Sequence, residues 1–346
     1  MDKIAVMGAG SWGTALAILL SKKGHNVTLW CFLESEKEQL ESNRENLNYL
    51  PGVPIPQDII ITNDYKEVIL NNKIIVIAIP SKFLRSNMEQ FSPLLTSNHI
   101  IVNVSKGLEN NSLLRMSQVI EEVAAQCPIA VLLGPSHAEE VARDIPTACV
   151  ASSKSKKIAE KVQDLFMTPN FRVYTNPDLI GVELGGAIKN VIALAAGVVD
   201  GLGYGDNTKA ALMTRGMAEI TRLGVAMGAD IQTFNGLTGI GDLIVTCTSM
   251  HSRNRRAGVL IGEGKKLEEA LNEVQMVVEG VHSAKAVYEL SKKYNVEMPI
   301  IRKINEVLFE GKCPKEAVMD LMLRNKRTEH ESEEIHWTHS VSWKDE

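Results

Sequence analysis

Cysteine is sparse and uninformative in this chain: Cys31, Cys127, Cys149, Cys247 and Cys313 are odd in number, scattered, and form no Cys-x-x-Cys pair. That argues against a disulfide framework or a zinc site and for a reducing compartment. An excess of basic charge is lacking as well. Thirty-seven Lys and Arg stand against 42 Asp and Glu, for a formal net charge of −5, so there is no broad cationic surface for nucleic acid. The longest uninterrupted apolar run, Val191 to Val199, is too short to cross a bilayer. No charged n-region, apolar h-region and small-residue cleavage site precede the first element, and a cytoplasmic location is expected. Repeats and low-complexity tracts are not evident. The last stretch, 328–346, is polar and reads as a flexible tail despite Trp337 and Trp343. Its histidines, His330, His336 and His339, lack a rigid frame, so no metal site is expected.

What is present suits two domains, since 346 residues with 45% hydrophobic content exceed one ordinary core. The run Lys3 to Met7 reads as a strand, Gly8-Ala-Gly10-Ser11-Trp12-Gly13 as a glycine turn, and Thr14 to Lys22 as a helix, with a second strand over 25–30. In that context the first glycine makes the tight turn. The second lets backbone approach a pyrophosphate, the third lets helix pack on strand, and the phosphate sits at the helix N-terminus. A dinucleotide site follows. Further strands are expected at 59–62, 73–79, 100–104, 129–133, 148–151 and 172–174, with helices such as 113–125 and 156–166 between them. Their near-continuous Val, Ile and Leu mark a sheet covered on both faces, a doubly wound α/β domain over 1–180. Ligands bind off the carboxyl ends of such strands, which directs attention to Lys106, Gly134 and Ser136. Lys106 reads equally well as a solvated loop lysine.

From 181 the alternation stops, and an all-helical domain is expected over 181–327. Its first helix, 181–199, carries a single charge after Glu183, Lys189, with apolar residues all round the wheel, so it reads as buried on most sides. Gly185, Gly186, Ile192, Ala193 and Ala196 share the face of Lys189 and are mostly small, which predicts open room beside the amine. A desolvated ammonium loses proton affinity and becomes able to exchange protons or hold an anion. The bland reading, a stem along apolar surface with its amine in water, stays open at this point. Two polar clusters follow. Asp242 sits in a first helical turn after a glycine-rich segment, with Thr246 one turn on, although a helix cap would explain Asp242 alone. Ser252-Arg253-Asn254-Arg255-Arg256 opens a helix with guanidinium groups and free N–H groups, a plausible grip for a phosphate monoester, or merely a solvated basic face.

Taken together, Gly8 to Gly13, Ser105-Lys-Gly-Leu108, Gly134-Pro-Ser136, Gly181 to Asn190, Thr238-Gly-Ile-Gly-Asp242, Ser252 to Arg256 and Val277-Val-Glu-Gly280 resemble the bacterial type of NAD(P)-dependent glycerol-3-phosphate dehydrogenase over about 1–327. The resemblance implies a Rossmann-type sheet domain followed by an all-α domain of the 6-phosphogluconate dehydrogenase C-terminal-like kind. It implies NAD(P)H-dependent interconversion of dihydroxyacetone phosphate and sn-glycerol 3-phosphate for glycerophospholipid synthesis. Lys189 would exchange the proton, with Asp242 tuning it and Lys106 assisting. Lys106, Gly134, Ser136, Lys189, Asn190, Asp242, Ser252, Arg253 and Asn254 would contact substrate, with Arg253 and Asn254 gripping its phosphate. Ser11, Trp12, Phe32, Lys106, Ala138, Arg253, Val277 and Glu279 would contact the cofactor beside Gly8, Gly10 and Gly13. This resemblance turns the reading of Lys189 from bland to functional.

Where many members of that family carry His or Arg after the second strand, this chain has Cys31-Phe32-Leu33-Glu34. Glu34 lies about 20 positions past the glycine turn, where an acid bonds a free ribose 2′-hydroxyl, so NADH is expected to serve at least as well as NADPH unless Lys37 or Arg44 swings in. A same-fold β-hydroxyacid dehydrogenase gripping a carboxylate is one alternative. A dinucleotide sensor without catalysis is another, although it leaves Lys189, Asp242 and Lys106 idle. Exposed apolar helices in the second domain favour a homodimer.

Overall fold

The computed structural model describes residues 1–326 and 328–329; the tail histidines, Trp337 and Trp343 lie outside the described residues. The strands are β1 (Lys3–Met7), β2 (Asn26–Trp30), β3 (Glu45–Asn46), β4 (Leu50–Pro54), β5 (Ile60–Thr62), β6 (Ile74–Ile77), β7 (Ile100–Asn103), β8 (Ile129–Leu133), β9 (Thr147–Ser152) and β10 (Phe171–Asn176). Between them run α1 (Ser11–Lys22), α2 (Glu34–Asn43), α3 (Tyr65–Asn71), α4 (Ser81–Phe91), α5 (Met116–Val123), α6 (Ala138–Val141) and α7 (Lys156–Phe166). Eight strands form one sheet in the order β10-β9-β8-β7-β6-β1-β2-β5. Successive residues feed opposite faces: Ile4 and Val6 join one core, Ala5 and Met7 the other. Both faces are therefore covered, and the order reverses between β1 and β6, which creates a crevice beyond their carboxyl ends.

The far edge departs from a simple parallel sheet. β9 runs antiparallel to β8, because the segment between them carries only the four-residue α6 and no crossover helix of the length a parallel return needs. β10 then pairs parallel with β9, and its early residues alternate buried and exposed, as at an edge with one wet face.

After β10 the described chain is helical: α8 (Leu179–Gly201), α9 (Asp206–Ala226), α10 (Ile231–Phe234), a π-helical turn Leu237–Gly241, α11 (Asp242–Thr248), α12 (Arg253–Gly262), α13 (Leu267–Val274), α14 (Glu279–Lys293), α15 (Pro299–Phe309) and α16 (Pro314–Met322). α8 starts two residues earlier than its apolar pattern suggests, since the Asp178 carboxylate caps it by accepting from Gly181 N–H at 2.8 Å. At 23 residues and a mean hydropathy of 1.6 it is long and apolar enough to span a membrane, which the uninterrupted-run reading overlooked, but that window is 100% buried in protein. α9, α11, α12 and α14 surround it. The α12 crossing is closest: a Cβ on Gly197 would lie 2.0 Å from Arg255 O, and one on Gly258 2.1 Å from Leu194 O. Backbone thus meets backbone, and the N-terminus of α12 is held beside the buried helix.

Candidate active site

At the β1–α1 turn the three glycines have different tasks. Gly8 has φ +118°, and a Cβ there would come within 2.7 Å of Ala78 O, so only glycine makes this turn without strain. A Cβ on Gly13 would fall 1.9 Å from Gly8 O, inside the helix–strand contact. Gly10 is the opposite case, because its Cβ would meet no described atom within 4 Å. It stands at the N-cap of α1, whose first turn lacks an acidic residue, and presents open space and free N–H groups to the crevice.

That crevice is part of a cleft of about 930 Å³ between the two halves. Gly8, Gly10, Ser11, Trp12, Phe32 and Ala138 line it from the sheet side, with Lys106 and Ser136. Lys189, Asn190, Asp242, Ser252, Arg253, Asn254, Val277 and Glu279 line it from the helical side. Gly13 and Gly134 stand behind the wall. Gly134 contributes through its carbonyl, which accepts from Lys106 Nζ at 2.8 Å.

At the centre, Asp242 begins α11 and is 1% exposed. Lys189 Nζ donates to its Oδ1 at 2.8 Å, and Lys106 Nζ to its Oδ2 at 2.7 Å. Lys189 also donates to Thr246 Oγ1 at 2.5 Å, and that hydroxyl donates to Asp242 O at 2.6 Å. Two ammonium groups share one carboxylate, so a positive charge is left over in a water-poor site. Burial pulls the Lys189 pKa down to about 8, with Asp242 opposing and Lys106 adding to the fall. Burial works against ionised Asp242, yet Lys106 and Lys189 outweigh it and hold the carboxyl below its ordinary range. The room predicted beside the amine is occupied. A Cβ on Gly185 would lie 2.4 Å from Thr238 O, and one on Gly186 3.7 Å from Lys106 Cγ. The small residues admit the backbone of the π-helical turn and the stem of the second lysine.

Ser252 caps α12, its Oγ accepting from Arg255 N–H at 3.2 Å. Asn254 ties three segments together: its Nδ2 donates to Asn190 Oδ1 at 3.0 Å, and its Oδ1 accepts from Gly280 N–H at 2.8 Å. Arg253 is half-buried at the cleft wall, and burial lowers its pKa against the pull of Glu279. Of the neighbouring arginines, Arg256 is exposed and fits the solvated-face reading, whereas Arg255 is largely buried and pairs with Asp200 at 2.7 Å. Glu279 crosses to the sheet half, where its carboxylate accepts from Ser81 N–H at 3.1 Å and Ser81 Oγ at 2.5 Å, capping α4. Burial pushes the Glu279 pKa up against those bonds.

At the outer end the acid favoured by sequence spacing is engaged elsewhere. Glu34 accepts from Lys37 at 3.0 Å and from Asn63 at 2.6 Å, whereas Glu36, two residues on and so on the opposite side of α2, lines the cleft with Phe32 and Leu33. Arg44 donates to the Ile59 carbonyl at 2.9 Å. Sequence reasoning gave no role to Glu36, His137 or His251, all of which line the cleft; the two histidine rings lie 5.9 Å apart, from opposite halves. Thr246 had a usable signal in its four-residue spacing from Asp242. Among the described residues no group of three or more His, Cys, Asp or Glu could hold a metal, and the cysteines are free thiols.

Comparison with known proteins agrees with this geometry. The family described as NAD-dependent glycerol-3-phosphate dehydrogenase N-terminus matches residues 3–159, and its C-terminus counterpart matches 178–319. The glycerol-3-phosphate dehydrogenase [NAD(P)+] of Fusobacterium nucleatum is 57% identical over 96% of this chain and 100% of its own length. That of Bacillus subtilis is 54% identical over 97% of each. The crystal structure of glycerol-3-phosphate dehydrogenase from Coxiella burnetii superposes with a TM-score of 0.91 at 37% identity, covering 93% of this chain and 99% of that one. A ketopantoate reductase from Ralstonia eutropha, at 13% identity and a TM-score of 0.60, shares the fold alone. With both halves matched and a dinucleotide cleft closed by a lysine–aspartate–lysine centre, the chain belongs to the NAD-dependent glycerol-3-phosphate dehydrogenase family, oxidoreductases that use NAD(P).

Proposed function

We propose that the chain reduces dihydroxyacetone phosphate to sn-glycerol 3-phosphate, and runs the reverse reaction, with Lys189 as the proton carrier. The observation that carries the reading is the buried centre of Lys189, Asp242 and Lys106. Residues 1–180 hold the dinucleotide, whose pyrophosphate fits the open face of Gly10 and the N–H groups of α1. Residues 181–327 hold the triose. Its phosphate is gripped by Arg253 and the N-terminus of α12, while Asn190 and Asn254 fix the floor beneath it. The nicotinamide supplies or takes the hydride when bound. Negative charge then builds on the ketone oxygen, which the ammonium groups of Lys189 and Lys106 stabilise best with water excluded. Lys189 delivers its proton to that oxygen. Asp242 and Thr246 occupy two of its N–H bonds and so aim the third. In oxidation, neutral Lys189 accepts the hydroxyl proton.

NADH serves at least as well as NADPH in this reading. Phe32 and Leu33 bring no charge to the adenosine end, Lys37 is tied to Glu34 and Arg44 to backbone carbonyl, and Glu36 adds an acid that repels a 2′-phosphate. The product is the backbone of glycerophospholipids, so the role is in their synthesis, in the cytoplasm. Met319, Met322 and Leu323, exposed at the end of the helical half, support a homodimer, which sedimentation would test. The decisive assay follows reduced-cofactor absorbance with dihydroxyacetone phosphate, unphosphorylated dihydroxyacetone, and each cofactor in turn. Turnover should require the phosphate, and kcat/KM with NADH should equal or exceed that with NADPH. Equal reduction of dihydroxyacetone would remove the phosphate grip. A clear preference for NADPH would overturn the reading of the adenosine end.

A further inference from the structure

Glu183 belongs to the same buried stretch as Lys189, yet the chemistry above gives it no part. It is 4% exposed and reaches from α8 into the sheet half. Its Oε1 accepts from Ser117 N–H at 2.8 Å, and its Oε2 from Ser117 Oγ at 2.5 Å and from Arg115 Nη1. Arg115, 8% exposed, also donates to Ser117 Oγ at 3.1 Å. These three residues stand outside the substrate cleft.

The segment between β7 and α5 connects them to it. Lys106 leaves β7 toward Asp242, the chain turns at Gly107 with φ +156°, and Leu108, 2% exposed, enters the core of the helical half with Leu113 packed against it. Leu113 has φ +63°, and Leu108 bridges back to Arg115 as an antiparallel pair. The result is a tongue from the sheet half whose Leu108 and Leu113 pack on the helical core while its tip, Asn110 to Ser112, is exposed. On one side Arg85 of α4 holds it by a two-pronged bond to Glu109, both at 2.8 Å. On the other, Arg115 holds it to α8 through Glu183. Lys106 rides at its base.

We infer that Arg115, Ser117 and Glu183 form a positioning clamp that locks the tongue to α8 and so sets the separation of Lys106 from Lys189 across Asp242. The inference rests on the reading of Lys189 as the proton carrier. Stability alone is a weak reason for such a pair, because buried ion pairs are often replaced by apolar residues at little cost, whereas removing one partner leaves a buried charge. The charged and titratable groups facing Lys189 are Asp242 and, beside it on α11, Cys247; Lys106 on the tongue; and His137 ahead of α6. Only Lys106 moves with the tongue. When it withdraws, a repelling charge leaves and Asp242 pairs with Lys189 alone, so both changes raise the proton affinity of Lys189.

The test is the pH dependence of dihydroxyacetone phosphate reduction by the full chain and by the double variant Arg115→Met/Glu183→Leu, which removes the charges together. The expected result is a folded protein with Tm near that of the parent and KM for the ketone little changed. Its kcat should be about 10- to 100-fold lower, the scale of a misplaced catalytic group, and its alkaline limb moved to higher pH. The single variant Arg115→Lys, which keeps a cation beside Glu183, should lose less kcat than the double variant. If the double variant does not fold, Arg115→Gln/Glu183→Gln, which keeps an acceptor for Ser117 N–H and leaves no charge unpaired, should show the same shift. A folded clamp variant with parental kcat and an unmoved limb overturns the inference. Retained turnover in Lys189→Ala would instead overturn the proton-carrier reading, which separates the two failures.

Discussion

The two halves of the molecule supply their functional groups in different ways. The sheet half works largely from turns at strand ends, where glycine and backbone N–H groups face the cleft and Gly10 leaves open space. The helical half works from the interior of helices: Lys189 lies mid-way along a fully buried helix, and Asp242 and Arg253 sit at first turns packed against it. A phosphate can be recognised by any backbone that aims N–H groups at it. Proton transfer at neutral pH needs an ionisable side chain whose affinity is tuned by a low-dielectric setting, and a helix enclosed by other helices provides one. On the proposed function, the contrast separates binding by backbone from chemistry by side chain.

Lys189→Ala tests the contrast most severely. It should lower kcat by ~10²-fold or more while the NADH dissociation constant, measured by fluorescence titration, stays near that of the parent chain. Comparable losses in both would merge the two halves into one functional unit. Within the sheet half, Gly10→Val should leave Tm nearly unchanged, because Gly10 has φ −68° and open space around it. It should weaken dinucleotide binding by roughly 10- to 100-fold, the scale of a lost charge-assisted hydrogen bond. Gly8→Ala should do the reverse and lower Tm, since φ +118° costs a non-glycine residue about 1–3 kcal/mol. If Gly10→Val lowered Tm as much as Gly8→Ala, the division between turn-making and ligand-facing glycines would fail.

The contrast sharpens with pH. Lys189 titrates at about 8, so ketone reduction, which needs the protonated amine, should fall as pH rises through that value. Glycerol 3-phosphate oxidation, which needs the neutral amine, should rise there. A reduction rate flat across that range would remove Lys189 from the proton path. The smallest effect on activity concerns a carboxylate with no catalytic part. Glu219, 1% exposed, accepts from Ile300 N–H at 2.8 Å and Ile301 N–H at 3.2 Å at the start of α15, and burial raises its pKa to about 7. A carboxyl with raised folded-state affinity contributes stability that is present below its unfolded pKa and lost as pH rises through about 7. Relative to Glu219→Gln, the parent chain should lose up to about 3 kcal/mol from acidic to alkaline buffer. Parallel Tm curves for the two would show that burial leaves the Glu219 pKa at its unfolded value.

Much of the site was legible along the chain. The glycine turn declared itself because its demands are steric and local, and Lys189 because a lone charge in an apolar helix is conspicuous. The four-residue step from Asp242 to Thr246 put both on one helix face. Other features were not legible, for physical reasons. The reversal of β9 depends on how the segment holding α6 returns to the sheet. Sequence distance from the glycine turn favoured Glu34, but the phase of α2 turns Glu36 to the cleft and leaves Glu34 to Lys37 and Asn63. Gly185 and Gly186 looked like empty room until the chain's own backbone and the Lys106 stem filled it.

Strand and helix alternation, the change to helices near residue 180 and the dinucleotide turn were decided by local order: periodicity of apolar residues and backbone sterics act within a few positions. The meeting of Lys189, Asp242 and Lys106 was decided by the tertiary fold. Lys189 meets Asp242 across 53 positions and Lys106 meets it across 136, and no periodicity reaches so far. Those distances close because glycine lets α12 and the π-helical turn approach α8, and because a tongue from the sheet half packs on the helical core. Burial then turns a charged lysine into one whose proton can leave near neutral pH.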